Sequence, residues 1–169
     1  MEGLGRLFDI AAGVAPLDLQ TARTGNRVHL RNAAGCTIVI YKGAGTAGDD
    51  PTFTLRQHTA ATGGSSANLA VITHYYLKAE ATLDGDETWT RVAQSAAATV
   101  VDPGGATTSA EEQQILVIEV DGVELSSGYE WISVDCADTG SNAQLGAVLY
   151  LLRDLMIQRS PANLANPQA

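Results

Sequence analysis

Lysine is nearly missing from this sequence: only Lys42 and Lys78 occur in 169 residues, and Lys and Arg together number 10 against 19 Asp and Glu. A chain that grips nucleic acid neutralises phosphates with clustered basic side chains. Here they are scattered and the net charge is −9, which argues against direct nucleic-acid binding and against an anionic membrane surface. Charge of either sign is thin, at 17% of residues against about a quarter in an ordinary globular chain. Ala, Thr, Gly and Ser fill the difference, a composition suited to an exterior partly covered by neighbours. The acidic balance favours solubility and keeps free copies apart before assembly.

Long apolar runs are absent as well. No stretch approaches the roughly 18 apolar residues of a membrane span. Residues 1–16 have neither a basic start nor an unbroken apolar run, so no secretory signal is expected. Cysteine is limited to Cys36 and Cys136, and without an export signal two buried free thiols are expected rather than a disulfide. Crossover helices are missing too: the pieces between apolar segments are too short and too Gly-rich for βαβ units.

What is present is strand language. Val28 and Leu30 alternate with polar partners, and Ala33-Ala34-Gly35 is expected to turn the chain. Residues 37–41 are a β-branched and aromatic run of the kind that fills a central strand. Residues 52–57, 69–79, 88–93, 113–120 and 129–136 continue the pattern, and Asp121-Gly122 is the type of pair that makes a tight hairpin. Residues 144–152 are apolar on both faces, the mark of a strand buried on both sides. About eight strands separated by Gly, Asp, Asn, Ser and Pro turns predict a mainly β domain, a single β-sandwich, jelly roll or barrel.

The ends read differently. Leu4, Leu7, Phe8 and Ala11 fall at helical spacing and predict a short amphipathic helix, weakened by Gly3, Gly5 and Gly13. Pro16 then starts an extended arm through Leu17 and Leu19. Residues 159–169, with Pro161 and Pro167, read as an extended C-terminal arm. The organisation expected is thus an N-terminal helix or arm over 1–20, a β domain over 21–158, and the C-terminal arm. Arms with a few apolar residues dock either on a neighbour or on their own domain. Leu4, Leu7, Phe8 and Leu17 at one end, and Pro161, Leu164 and Pro167 at the other, are the candidate interface residues. Small polar loops at 43–51, 59–66 and 96–110 are expected to face solvent or a partner.

No motif for chemistry survives its context. Gly43-Ala44-Gly45-Thr46-Ala47-Gly48 has dinucleotide-loop spacing, but a phosphate site needs a helix to begin there, and Asp49-Asp50-Pro51 leads into a strand instead. Asp84-Gly85-Asp86-Glu87 lacks the further oxygen ligands of a calcium loop, so an acidic turn is the better account. His29, His58 and His74 lie on separate segments without metal-ligand spacing to Cys or another His. Serines occur without a nucleophile elbow; a hydrolase would require His58 or His74 to meet a serine and an acid in one cleft. Catalytic, metal and cofactor residues are therefore expected to be none. Trp89 and Trp131 lie in alternating strands and are expected to pack in the core, although exposure of either would make a sugar platform.

Several strings resemble small virion proteins of long-tailed bacteriophages. They are Thr21-Ala22-Arg23-Thr24-Gly25 leading into 28–41 and then the 43–51 loop; Tyr75-Tyr76-Leu77-Lys78 with Leu83-Asp84-Gly85-Asp86-Glu87-Thr88-Trp89; and the closing 142–150 and 160–165. The resemblance covers most of the chain. It implies a head decoration (cement) or minor capsid protein, small, β-rich and not an enzyme. Such a protein is made in the host bacterial cytoplasm and resides on the virion's capsid surface. Its partners would be the major capsid protein and copies of itself, gaining strength from many weak contacts in a lattice. A tail-tube or neck subunit and a carbohydrate-binding β-sandwich module are the alternatives.

Overall fold

Period-two alternation puts one set of side chains on each face of a strand, and two such faces meet in this protein. A computed structural model describes residues 3–101 and 111–169. Its strands are β1 Phe8–Asp18, β2 Val28–His29, β3 Ala33–Lys42, β4 Thr52–His58, β5 Ser66–Asn68, β6 Ile72–Glu80, β7 Thr90–Ala97, β8 Thr99–Val101, β9 Gln113–Asp121, β10 Trp131–Cys136 and β11 Leu145–Leu155. One sheet has six strands in the order β1-β11-β3-β9-β6-β7. The other runs β2-β10-β4-β5, with β8 also on β4. The fold is mainly β, two antiparallel sheets packed as a sandwich.

Between the sheets lie Ile38, Ile40, Leu116, Ile118 and Leu152 from the first, and Phe53, Leu55, Ile132 and Val134 from the second, all buried. Each such side chain contributes about 1.5–3 kcal/mol by leaving water. Tyr150 ties the layers: its hydroxyl accepts the Val134 amide at 2.8 Å while its ring is fully buried. Burial pushes the phenol's pKa upward, so it stays neutral. Two glycines make room for it. A Cβ on Gly13 would stand 2.6 Å from the Tyr150 ring, and one on Gly25 would run into the Val134 carbonyl oxygen. Cys36 and Cys136 are buried thiols, and burial raises them to about 12 and about 11.

The N-terminal helix does not form. Phe8–Asp18 is instead an edge strand antiparallel to β11, with register breaks after Ala12 and Val14. Pairing with β11 supplies the backbone hydrogen bonds a helix would have made locally, and Gly5, at φ +79°, turns the chain before it. Leu19 is buried. Ala33-Ala34-Gly35 does not turn the chain either; it opens β3. Asp121-Gly122 begins a 3-10 turn, Gly122–Glu124, because β9 and β10 belong to different sheets and no hairpin joins them.

The C-terminal segment lies along its own domain. Arg159 N–H donates to the Gly5 carbonyl at 2.9 Å, and His29 N–H donates to that of Pro167 at 2.8 Å. Gln168 reaches the Ala12 carbonyl at 2.7 Å, and Asn26 takes the Gly13 and Ala12 carbonyls. The outer edge of β1 is thereby partly capped, which blunts its tendency to pair with a foreign strand. No helix among the described residues is long and apolar enough to cross a membrane.

Candidate functional site

The six-stranded sheet buries its inner face, and among the described residues nothing packs over the other. Register places Ala12 beside Leu149, Leu149 beside Val39, Val39 beside Val117, and Val117 beside Tyr76. This outward row is apolar across five strands. The row on one side holds Ile10, Leu151, Thr37 and Glu119; the row on the other holds Ala147, Tyr41, Ile115 and Lys78. Ile10, Tyr41, Leu145 and Leu149 are 48%, 52%, 66% and 44% exposed. Isolated exposed apolar residues are ordinary, but a contiguous face of them marks an interaction surface.

Glu119 and Lys78 flank the central row, and further charges stand at the two ends of this face. At one end Arg153 reaches across Gly35 to Asp121 and also pairs with Asp154 at 2.9 Å; a side chain at Gly35 would occupy the guanidinium's path. At the other end the Lys78 ammonium stands 5.4 Å from the centre of the Trp89 ring. Trp89 is 51% exposed and forms a shallow apolar depression with Tyr76 and Val117. The expected core role thus fails for Trp89. Trp131 is buried, edge-on to His29 with ring centres 4.6 Å apart.

The five-stranded sheet finishes its outer face differently. Thr54 and Thr99 hydroxyls meet at 3.1 Å, and Arg56 pairs with Asp135 at 3.4 Å. His58 has Ser66 Oγ 2.7 Å from Nδ1 and Ser133 Oγ 2.9 Å from Nε2. Burial, reinforced by Arg27 and Arg56, pushes His58 down from 6.5 to about 4, so it is neutral at pH 7. One ring nitrogen then donates and the other accepts. A histidine between two serines invites comparison with a hydrolase. Yet both ring nitrogens are taken by hydroxyls, the nearby Asp135 carboxylate engages Arg56 and the Gly25 amide, and Ser133 is fully buried. The arrangement satisfies polar groups and presents no oriented acid.

Other sequence candidates resolve into turns. The 43–48 glycine loop leads into no helix, and Asp49 beyond it accepts the Asn142 amide at 3.1 Å and its side-chain NH₂ at 2.9 Å. Asp84, Asp86 and Glu87 are joined by Glu80, their carboxylates within 4.8 Å of one another. Glu87 is engaged by the Asp84 and Gly85 amides, which hold it below the usual range together with its other neighbours. Glu80 is raised, chiefly by Asp86.

No family model, curated protein or solved structure matches the chain. The expected interface residues are scattered. Leu4 and Leu7 are exposed, and Pro161 is exposed in the turn Pro161–Asn163. Leu17 and Leu164 pack against their own core, and Pro167 binds His29; these three are engaged within the chain, because the sandwich leaves open ends that the terminal segments close. Phe8 falls opposite Arg153 on the outward face. Of the loops expected to face partners, residues 102–110 lie outside the described residues. The sequence signal of the apolar face is the segment 144–152, apolar on both sides.

Proposed function

We propose that this protein is a structural assembly subunit, a decoration (cement) protein bound to the outside of a tailed-phage capsid. The outward apolar face of the six-stranded sheet supports an assembly role, since nothing among the described residues covers it and its composition is that of a buried surface. Acidity and scarce lysine favour a position outside the shell, away from packaged DNA. The phage and capsid assignment itself rests on the sequence resemblance. A sugar-binding reading has one observation in its favour, the exposed Trp89 beside Lys78, but the depression walls Tyr76 and Val117 offer little to bond sugar hydroxyls.

The test is co-sedimentation of the purified chain with expanded, empty heads of the tailed phage whose genome carries this sequence. Saturation at a fixed number of copies per capsomer, with heads surviving higher temperature, is the expected result. A chain that stays in the supernatant sinks the capsid assignment.

A further inference from the structure

We infer that the outer face of the six-stranded sheet binds the same face of a second copy, across a two-fold axis that crosses the strands at the Val39–Val117 row. This deepens the assembly reading by naming the first occupant of that face.

Size is the first argument. Six strands about 4.8 Å apart and about nine residues long at about 3.3 Å each give a face of roughly 700–850 Å², close to the roughly 800 Å² that each partner contributes to a standard stable interface. The extent of the apolar rows agrees: from Ala12 on β1 to Tyr76 on β6 the central row holds no charge, Glu119 and Lys78 stand in the flanking rows, and Arg91 follows Tyr76 on the edge strand β7. Face-to-face stacking of sheets at about 10 Å is an established packing mode, and it is already used inside this protein.

Charge placement is the second argument. A two-fold axis across the strands reverses the strand direction and leaves strand order in place. Glu119, two residues from Val117 on β9, then lies over the partner's Ile115, whose neighbour across the strand is Lys78. The same operation repeats the pair on the other side of the axis. Each copy thus brings one carboxylate and one ammonium to matching places, both on the rim of the apolar row. Self-complementarity of this kind is what a two-fold interface requires. A two-fold axis along the strands would instead lay each Glu119 over Thr37 of the second copy, beside that copy's own Glu119, and would bring no carboxylate to Lys78.

Measuring the mass of the purified full chain by sedimentation and light scattering, from about 1 to about 100 µM, decides the matter without any capsid. The expected species has twice the 17.6 kDa chain mass. Leu149→Glu should return it to the monomer with an unchanged far-ultraviolet spectrum, because Leu149 points away from the core. Glu119→Lys alone should weaken association about tenfold or more, and adding Lys78→Glu should restore it. A monomer throughout this range overturns the proposal and leaves the face to a different protein. A dimer indifferent to Leu149→Glu also overturns it, and failure of the double charge swap to restore binding overturns the two-fold register. Failure to bind heads by a chain that dimerises would sink only the capsid assignment.

Discussion

The two sheets use the same chemistry toward each other and opposite chemistry toward the outside. On the five-stranded sheet the outward side chains are Thr54, Arg56, His58, Ser133 and Asp135, tied to one another or to Thr99 and Ser66. On the six-stranded sheet the corresponding positions are Val39, Val117, Leu149 and Ile10, apolar and left open among the described residues. The first face is complete in water because its polar groups partner one another and stay hydrated at the rim. The second is complete only when another apolar surface covers it. A sheet's outer face therefore reports on its surroundings in the working state, whereas its inner face reports only on the fold.

Adjacent residues of β9 offer the sharpest way to break this contrast. Ile118 points into the core and Val117 points outward. Ile118→Ala should cost about 2–5 kcal/mol in urea unfolding through lost burial and a cavity. Val117→Ala, measured in dilute monomer, should stay within about 0.5 kcal/mol. Comparable losses at both positions would mean that the outer face is already covered within the chain.

Acid should act selectively through the polar face. His58 titrates near 4 when folded and at 6.5 without its surroundings, so the unfolded chain binds more protons between these values. Its contribution is fully present above pH 6.5 and is lost as pH falls toward 4, on the order of 2 kcal/mol. His58→Gln should flatten the stability slope across pH 4–6.5 relative to the unmodified chain. An unchanged slope would show that His58 is solvated and that the Ser66–His58–Ser133 network is not closed.

A smaller effect than at Ile118 or His58 is expected at Arg56, whose side chain is 35% exposed and whose partner Asp135 is 22% exposed. Arg56→Met keeps the apolar stem and removes the ion pair, at about 0.5–1 kcal/mol, less in high salt. A larger, salt-insensitive loss in thermal unfolding would make the polar face part of the core, and the contrast between the sheets would narrow.

Much of this could be read in advance. The alternation in 52–57 sets Phe53 and Leu55 on one face, that in 129–136 sets Ile132 and Val134 against Trp131 and Ser133, and all six are buried. Residues 144–152 announced two apolar sides, and β11 has them. That pattern predicts burial on both sides, and among the described residues only one side is covered. The helical spacing of Leu4, Leu7, Phe8 and Ala11 spans two pieces of structure, a turn that holds Leu4 and Leu7 and a strand that begins at Phe8, and bulges after Ala12 and Val14 interrupt the strand's period of two farther on. The His58 network had no local signal, since Ser66 and Ser133 lie eight and 75 positions away.

Composition and period two were enough to determine a mainly β chain with few charges, buried thiols and acidic turns, because both act within a few residues. Tertiary structure alone decided that β9 and β10 separate into different sheets, that residues 8–18 pair with β11, and that one apolar face stays outside. A strand satisfies its backbone hydrogen bonds with partners distant in sequence, so its sheet, its neighbours and its cover are properties of the assembled chain.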